Sequence, residues 1–145
     1  MSVVVVDASV VIKWFVPENG TEAALRLLHS GHQFLAPDLL FAEVANSLWK
    51  KTLRGELTTM DSHQLTADLE RIAVETVECR ELATDAHALA LITSRSVYDS
   101  MYVALAIRLE TRLITADERL VNALAAFPEV AGYIELLGLG ERAVV

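Results

Sequence analysis

Four acidic residues stand where apolar segments end or change character. Asp7 follows the run VVVV, Glu43 lies inside PDLLFAEVANSL, Asp99 inside SVYDSMYVALA, and Asp117 follows RLITA. In open parallel sheets, ligands bind beyond the carboxyl ends of the strands. Asp7 and Asp117 each come directly after a run of strand type, so both belong at that edge. Glu43 has Leu39 and Leu40 one helical turn before it and Asn46 and Ser47 one turn after, on the border between an apolar and a polar stripe. A carboxylate between Leu40 and Val44 is costly to bury unless its charge is neutralised or coordinated. Asp99 opens an apolar helical segment, where a helix cap and a ligand are both open readings. Asp117 has the same two readings, because ERLVNAL follows it.

Carboxylates focused on one cleft repel one another and push some of their pKa values up unless a cation intervenes. The matching ion is hard and oxygen-liganded, Mg²⁺ or Mn²⁺. Such an ion activates water for attack on a phosphodiester. Other site chemistries find little support. Cys79 is the sole cysteine, which excludes an intramolecular disulfide or a thiolate zinc cluster, and VETVECRELA places no histidine beside it. His29 and His32 flank a Ser-Gly turn while His63 and His87 stand alone, so the histidines form no metal signature.

The 145 residues suit one domain, 1–145, with a real core. They are 53% hydrophobic with a mean hydropathy of +0.38. No apolar run approaches the ~20 residues of a membrane span. Asp7 and Lys13 break the first apolar run, and no basic segment precedes it as in a signal peptide. A cytoplasmic protein without membrane contact is expected. The net charge of −8 argues against broad electrostatic binding of nucleic acid. Half of that charge would vanish into a metal site if the four acids share one.

The elements that must position these acids alternate between strand and helix. Val3–Val6 is a continuous β-branched run, as in a strand covered on both faces. No element is assigned between Asp7 and Thr21. Residues 21–30 read as a helix capped by Thr21 and stopped by Gly31, and QFLAP as a second strand. A long helix is expected to open at Pro37 and Asp38, to bury Leu39, Leu40, Val44, Leu48 and Trp49, and to end at Gly55. Helices over 59–72, 81–93, 99–110 and 120–126 alternate with strands in IAVETV, TRLITAD and GYIEL. The pattern indicates an α/β sandwich with a mostly parallel sheet between helices. Strand order does not follow from it.

VVVVDASVVIKWFVPE, APDLLFAEVANSL, SVYDSMYVALA and RLITADERL, in this order and spacing, resemble the PIN-domain ribonucleases, and among them the VapC-type toxins of toxin–antitoxin pairs. The resemblance implies a PIN-like three-layer sandwich with a parallel five-stranded sheet. It implies that Asp7, Glu43, Asp99 and Asp117 are the catalytic, metal-binding acids, with Ser9 and Thr115 supplying hydroxyls beside them. Asn46, one turn beyond Glu43, is a further candidate for that outer layer. It also implies dependence on Mg²⁺ or Mn²⁺, endonucleolytic cleavage of RNA, a homodimer and a cognate VapB-type antitoxin.

Lys13 is the candidate contact to an RNA phosphate. Lys50, Lys51 and Arg54 are read first as complements to a helix dipole, and Trp14, Phe15 and Trp49 first as core. Two other functions compete. A haloacid-dehalogenase-like phosphotransferase needs a second Asp two residues after the first, where this chain has Ser9. A non-catalytic PIN-like binding module, or a nuclease acting on a substrate other than cellular RNA, remains the alternative.

Overall fold

The computed structural model describes residues 2–138. The outermost positions of the expected domain, residue 1 and residues 139–145, lie outside the described residues. The elements run β1 (Val3–Val6), α1 (Ala8–Phe15), α2 (Thr21–Leu28), β2 (Gln33–Pro37), α3 (Leu39–Leu53), α4 (Thr59–Leu69) and β3 (Val74–Val77). Then follow α5 (Cys79–Thr93), α6 (Val97–Arg108), β4 (Leu113–Thr115), α7 (Glu118–Leu124), α8 (Pro128–Ala131) and β5 (Ile134–Leu136). The strands form one sheet in the order β3-β2-β1-β4-β5. Every neighbouring pair is parallel, so the expected mostly parallel sheet is wholly parallel.

β1 is the centre of the sheet, which is why its sequence carries no polar alternation: Val4, Val5 and Val6 are fully buried. Parallel strands require crossover helices, and right-handed crossovers put those leaving in opposite directions on opposite faces. The packing follows that division. α1 packs on α2 and α3, and α3 on α4, whereas α5 packs on α6, which also lies against β1 and β2. Between β1 and β4 the chain's direction of travel across the sheet reverses. The carboxyl ends of these two strands therefore flank the crevice where such sheets bind ligands.

Several local expectations are corrected. The segment after Asp7, left without an element, is the helix α1, although Val10, Val11 and Ile12 are as β-branched as the strand before them. Asp7 turns the chain by accepting the Ser9 N–H at 3.1 Å, an N-cap bond that satisfies an orphan donor. Pro37 does not open α3; it is the last residue of β2, and Asp38 is the boundary. The Asp38 carboxylate caps a different helix, accepting the Cys79 N–H at the start of α5 at 3.0 Å. Gly20 rather than Thr21 precedes α2, and the Thr21 hydroxyl instead accepts the Glu18 N–H. Trp49 is no core residue: it is 55% exposed.

Candidate active site

Asp7 sits at the floor of the crevice, 9% exposed. Its two oxygens are held by two relays that start from backbone amides just after β4. Ala116 N–H donates to Ser9 Oγ at 2.9 Å, and that hydroxyl donates to Asp7 Oδ1 at 2.5 Å. Asp117 N–H donates to Thr115 Oγ1 at 3.1 Å, and that hydroxyl donates to Asp7 Oδ2 at 2.5 Å. Each hydroxyl oxygen accepts from an amide, so its own hydrogen is left for the carboxylate. Two loops more than a hundred residues apart in sequence are thereby stitched across the switch point. Even so, burial outweighs these hydrogen bonds, and with the charge of Glu43 added the Asp7 carboxyl is pushed up from 3.8 to about 6.

Glu43, on α3, is raised chiefly by burial and further by the charge of Asp99, against the bond from Tyr102. Tyr102 donates its hydroxyl to Glu43 Oε1 at 2.5 Å. Burial first, then this bond, keeps the phenol protonated. Asp99 is likewise raised, first by burial; Arg95 opposes the shift and Asp117 adds to it. The four acids thus form one electrostatic chain, Asp7 to Glu43 to Asp99 to Asp117. Asp99 is not the cap of α6, because Ser96 takes that role by accepting the Asp99 N–H at 3.0 Å. Asp117 is the cap of α7, through Oδ1, which accepts from Arg119 and Leu120.

The Asp7 carboxylate accepts from Ser9 N, Ser9 Oγ and Thr115 Oγ1, and the Val10 N–H also acts on it. Glu43 is bonded through Oε1 and Asp117 through Oδ1, while the Asp99 carboxylate takes Arg95 on Oδ2 and a further bond from Ser96. Among the described residues no three of His, Cys, Asp and Glu converge as a preformed cage. The donors available on these acids are carboxylate oxygens, which suit a hard divalent cation that keeps several of its own waters.

The remaining sequence candidates divide. Lys13, on α1, lines a cleft of about 790 Å³ with Asn19, Gly20, Ala116, Asp117 and Arg119. Its ammonium donates to Glu18 Oε1 at 3.1 Å and to the Asn19 carbonyl at 2.8 Å. Gly20 is needed beside it: φ is +91°, and a Cβ there would stand 3.2 Å from Lys13 Cε. The Asn46 side chain is exposed on α3, and no hydrogen bond ties it to the network among the described residues. Tyr102 and Arg95 were missed. Tyr102 lies three residues after Asp99, on the same helical face, and that spacing is the signal that could have found it. Arg95 Nη2 reaches Asp99 Oδ2 at 3.4 Å, while its buried Nε has no hydrogen-bond partner among the described residues.

Comparison with known proteins adds the wider context. Residues 4–125 match the PIN domain family. Over 124 residues the chain is 36% identical to "Ribonuclease VapC3" of Pyrobaculum aerophilum, covering 84% of this chain and 95% of that protein. Two solved structures share the fold. PAE2754 from P. aerophilum has a TM-score of 0.68 at 18% identity, over 99% of this chain and 91% of its own. A toxin–antitoxin complex from Klebsiella pneumoniae has a TM-score of 0.64 at 15% identity, over 91% and 95%.

Proposed function

The chain belongs to the PIN-domain family, and from that premise we propose that it is a divalent-metal-dependent endoribonuclease, the toxin of a type II toxin–antitoxin pair. The observation that carries the chemistry is the double hydroxyl relay onto Asp7. It fixes a buried carboxylate at the switch point, where the charge of Glu43 adds to the strain of burying it. The similarity to "Ribonuclease VapC3" supports RNA as the substrate. The fold shared with a toxin–antitoxin complex is in keeping with a VapB-type antitoxin as partner. A homodimer, a cytoplasmic location and a single PIN domain over 1–145 complete the reading. No helix among the described residues is long and apolar enough to cross a membrane.

Asp7, Glu43, Asp99 and Asp117 would hold the ion, directly or through water. Bound there, Mg²⁺ or Mn²⁺ supplies Lewis-acid charge to the phosphate and lowers the pKa of water. Ser9 and Thr115 keep the Asp7 carboxylate from rotating, because each holds a different one of its oxygens. Tyr102 holds one oxygen of Glu43 and leaves the other for water or metal, a placement suited to orienting the attacking water. Capping by Asp117 Oδ1 keeps its Oδ2 directed away from the helix.

The test is cleavage of a mixed RNA panel with Mg²⁺, Mn²⁺ or EDTA, with Asp7→Asn and Asp99→Asn prepared in parallel. Metal-dependent cutting that both substitutions abolish is the expected result. Folded protein that neither cuts nor binds metal would replace this reading with the non-catalytic binding module. Cutting confined to DNA would replace RNA as the substrate.

A further inference from the structure

Lys50, Lys51 and Arg54 lie in the last turn of α3 and beyond, where helix-dipole complementation accounts for their charge from sequence alone. The structure places them in a second groove, of about 340 Å³, between that helix end and α1. Ser9, Lys13 and Glu18 line the same groove. Ser9 also touches Asp7, so one end of this groove reaches the proposed catalytic floor. Lys13 and Ala116 line both this groove and the larger cleft that contains Asp117. The two depressions are therefore neighbours that share Lys13 and Ala116, one reaching Asp117 and the other reaching Ser9, which bonds Asp7.

The cations are arranged with some order. Glu18 gives one carboxylate oxygen to each of two lysines: Oε1 to Lys13 at 3.1 Å and Oε2 to Lys51 at 2.6 Å. Both lysine side chains are only 14% exposed. Burial works against the charge of Glu18, but the bonds from Lys51 and Lys13 outweigh it and hold the carboxyl below its ordinary value. Two ammonium groups on one carboxylate leave a fixed net positive charge. Lys50 is exposed, and Arg54 has only a loose, exposed contact of 3.6 Å to Glu56. Both are free to exchange water for phosphate at little cost. In a chain of net charge −8, four cations in one groove that reaches Ser9, the partner of Asp7, are a local reversal of sign.

We propose that this groove is the track for the sugar–phosphate backbone of single-stranded RNA on one side of the scissile phosphate. Lys50 and Arg54 make exchangeable phosphate contacts, and the Lys13–Glu18–Lys51 cluster forms a fixed positive wall. This rests on the ribonuclease reading and extends it, because the acids by themselves do not say where the rest of the strand lies. Among the described residues no aromatic side chain lines the groove, so its contribution is positional and electrostatic rather than base-specific.

The test compares the protein with its Lys50→Ala/Arg54→Ala variant, both of whose replaced side chains are exposed. Binding of a fluorescent single-stranded RNA is followed by anisotropy across a salt series. EDTA prevents cutting, and the series is repeated with Mg²⁺ in an Asp7→Asn background. Loss of two phosphate contacts should make the slope of log affinity against log salt shallower by about 1.4, roughly a sevenfold change in relative affinity between 50 and 200 mM salt. In cleavage assays KM should rise while kcat holds, since the acids are untouched. An unchanged slope under both conditions, or no RNA binding by the parent protein, overturns the proposal. Salt-dependent binding that responds to the substitutions, without cleavage in Mg²⁺ or Mn²⁺, leaves the track standing and defeats the nuclease reading instead.

Discussion

Replacing Asp7 by Asn should make the metal-free protein more stable while removing its activity. The Asp7 carboxyl releases its proton near 3.8 when unfolded and near 6 when folded. Between those values the folded state binds more protons, so stability falls as pH rises through the window and stays lower above it. The difference of about two pKa units corresponds to about 3 kcal/mol at neutral pH. Asn has no proton to lose, and its amide can donate to Thr115 Oγ1 once that hydroxyl rotates. Thermal melts by circular dichroism in EDTA, from pH 3.5 to 8, read this directly. The stability of Asp7→Asn relative to the parent should climb by about 3 kcal/mol across the window, or roughly 6–12 °C in Tm for a chain of this size. Adding Mg²⁺ should then raise the Tm of the parent and leave the variant unmoved. A difference that stays flat with pH, or a variant that loses ground as pH rises, would refute the claim that burial of an uncompensated carboxylate strains this site.

Other perturbations separate the parts of the network. Thr115→Val strands the Asp117 N–H and removes one bond to Asp7, which should cost about 1–3 kcal/mol in urea unfolding, whereas Thr115→Ser should restore most of it. Tyr102→Phe deletes a bond that lowers the Glu43 pKa. The acidic limb of the cleavage pH profile should therefore move to higher pH, and an unmoved limb would remove Glu43 from the titrating groups. Trp49→Ala, at a side chain 55% exposed, should change stability by no more than about 0.5 kcal/mol, and a larger loss would show a packing role that the monomer lacks.

Much of this protein is written locally. A valine run suited to a strand covered on both faces, an acid after it, and a second acid after RLITA put Asp7 and Asp117 at one sheet edge from sequence alone. The placement of Glu43 between stripes and the strand–helix alternation are equally local. What the sequence left open depends on contacts between distant segments. Val10, Val11 and Ile12 form a helix rather than a strand because Asp7 caps it and α2, α3 and β4 cover it, overriding β-branched propensity. Asp38 caps α5 rather than its own helix because β2 and β3 lie side by side. The hydroxyls of Ser9 and Thr115 become a relay only when strand order brings β4 beside β1, and Lys13 and Lys51 share Glu18 only when α1 packs on α3. Residue types and their spacing determined which groups could do chemistry. The tertiary structure decided which of them meet, because hydrogen bonds and buried charges act over a few ångströms and those distances are set by packing.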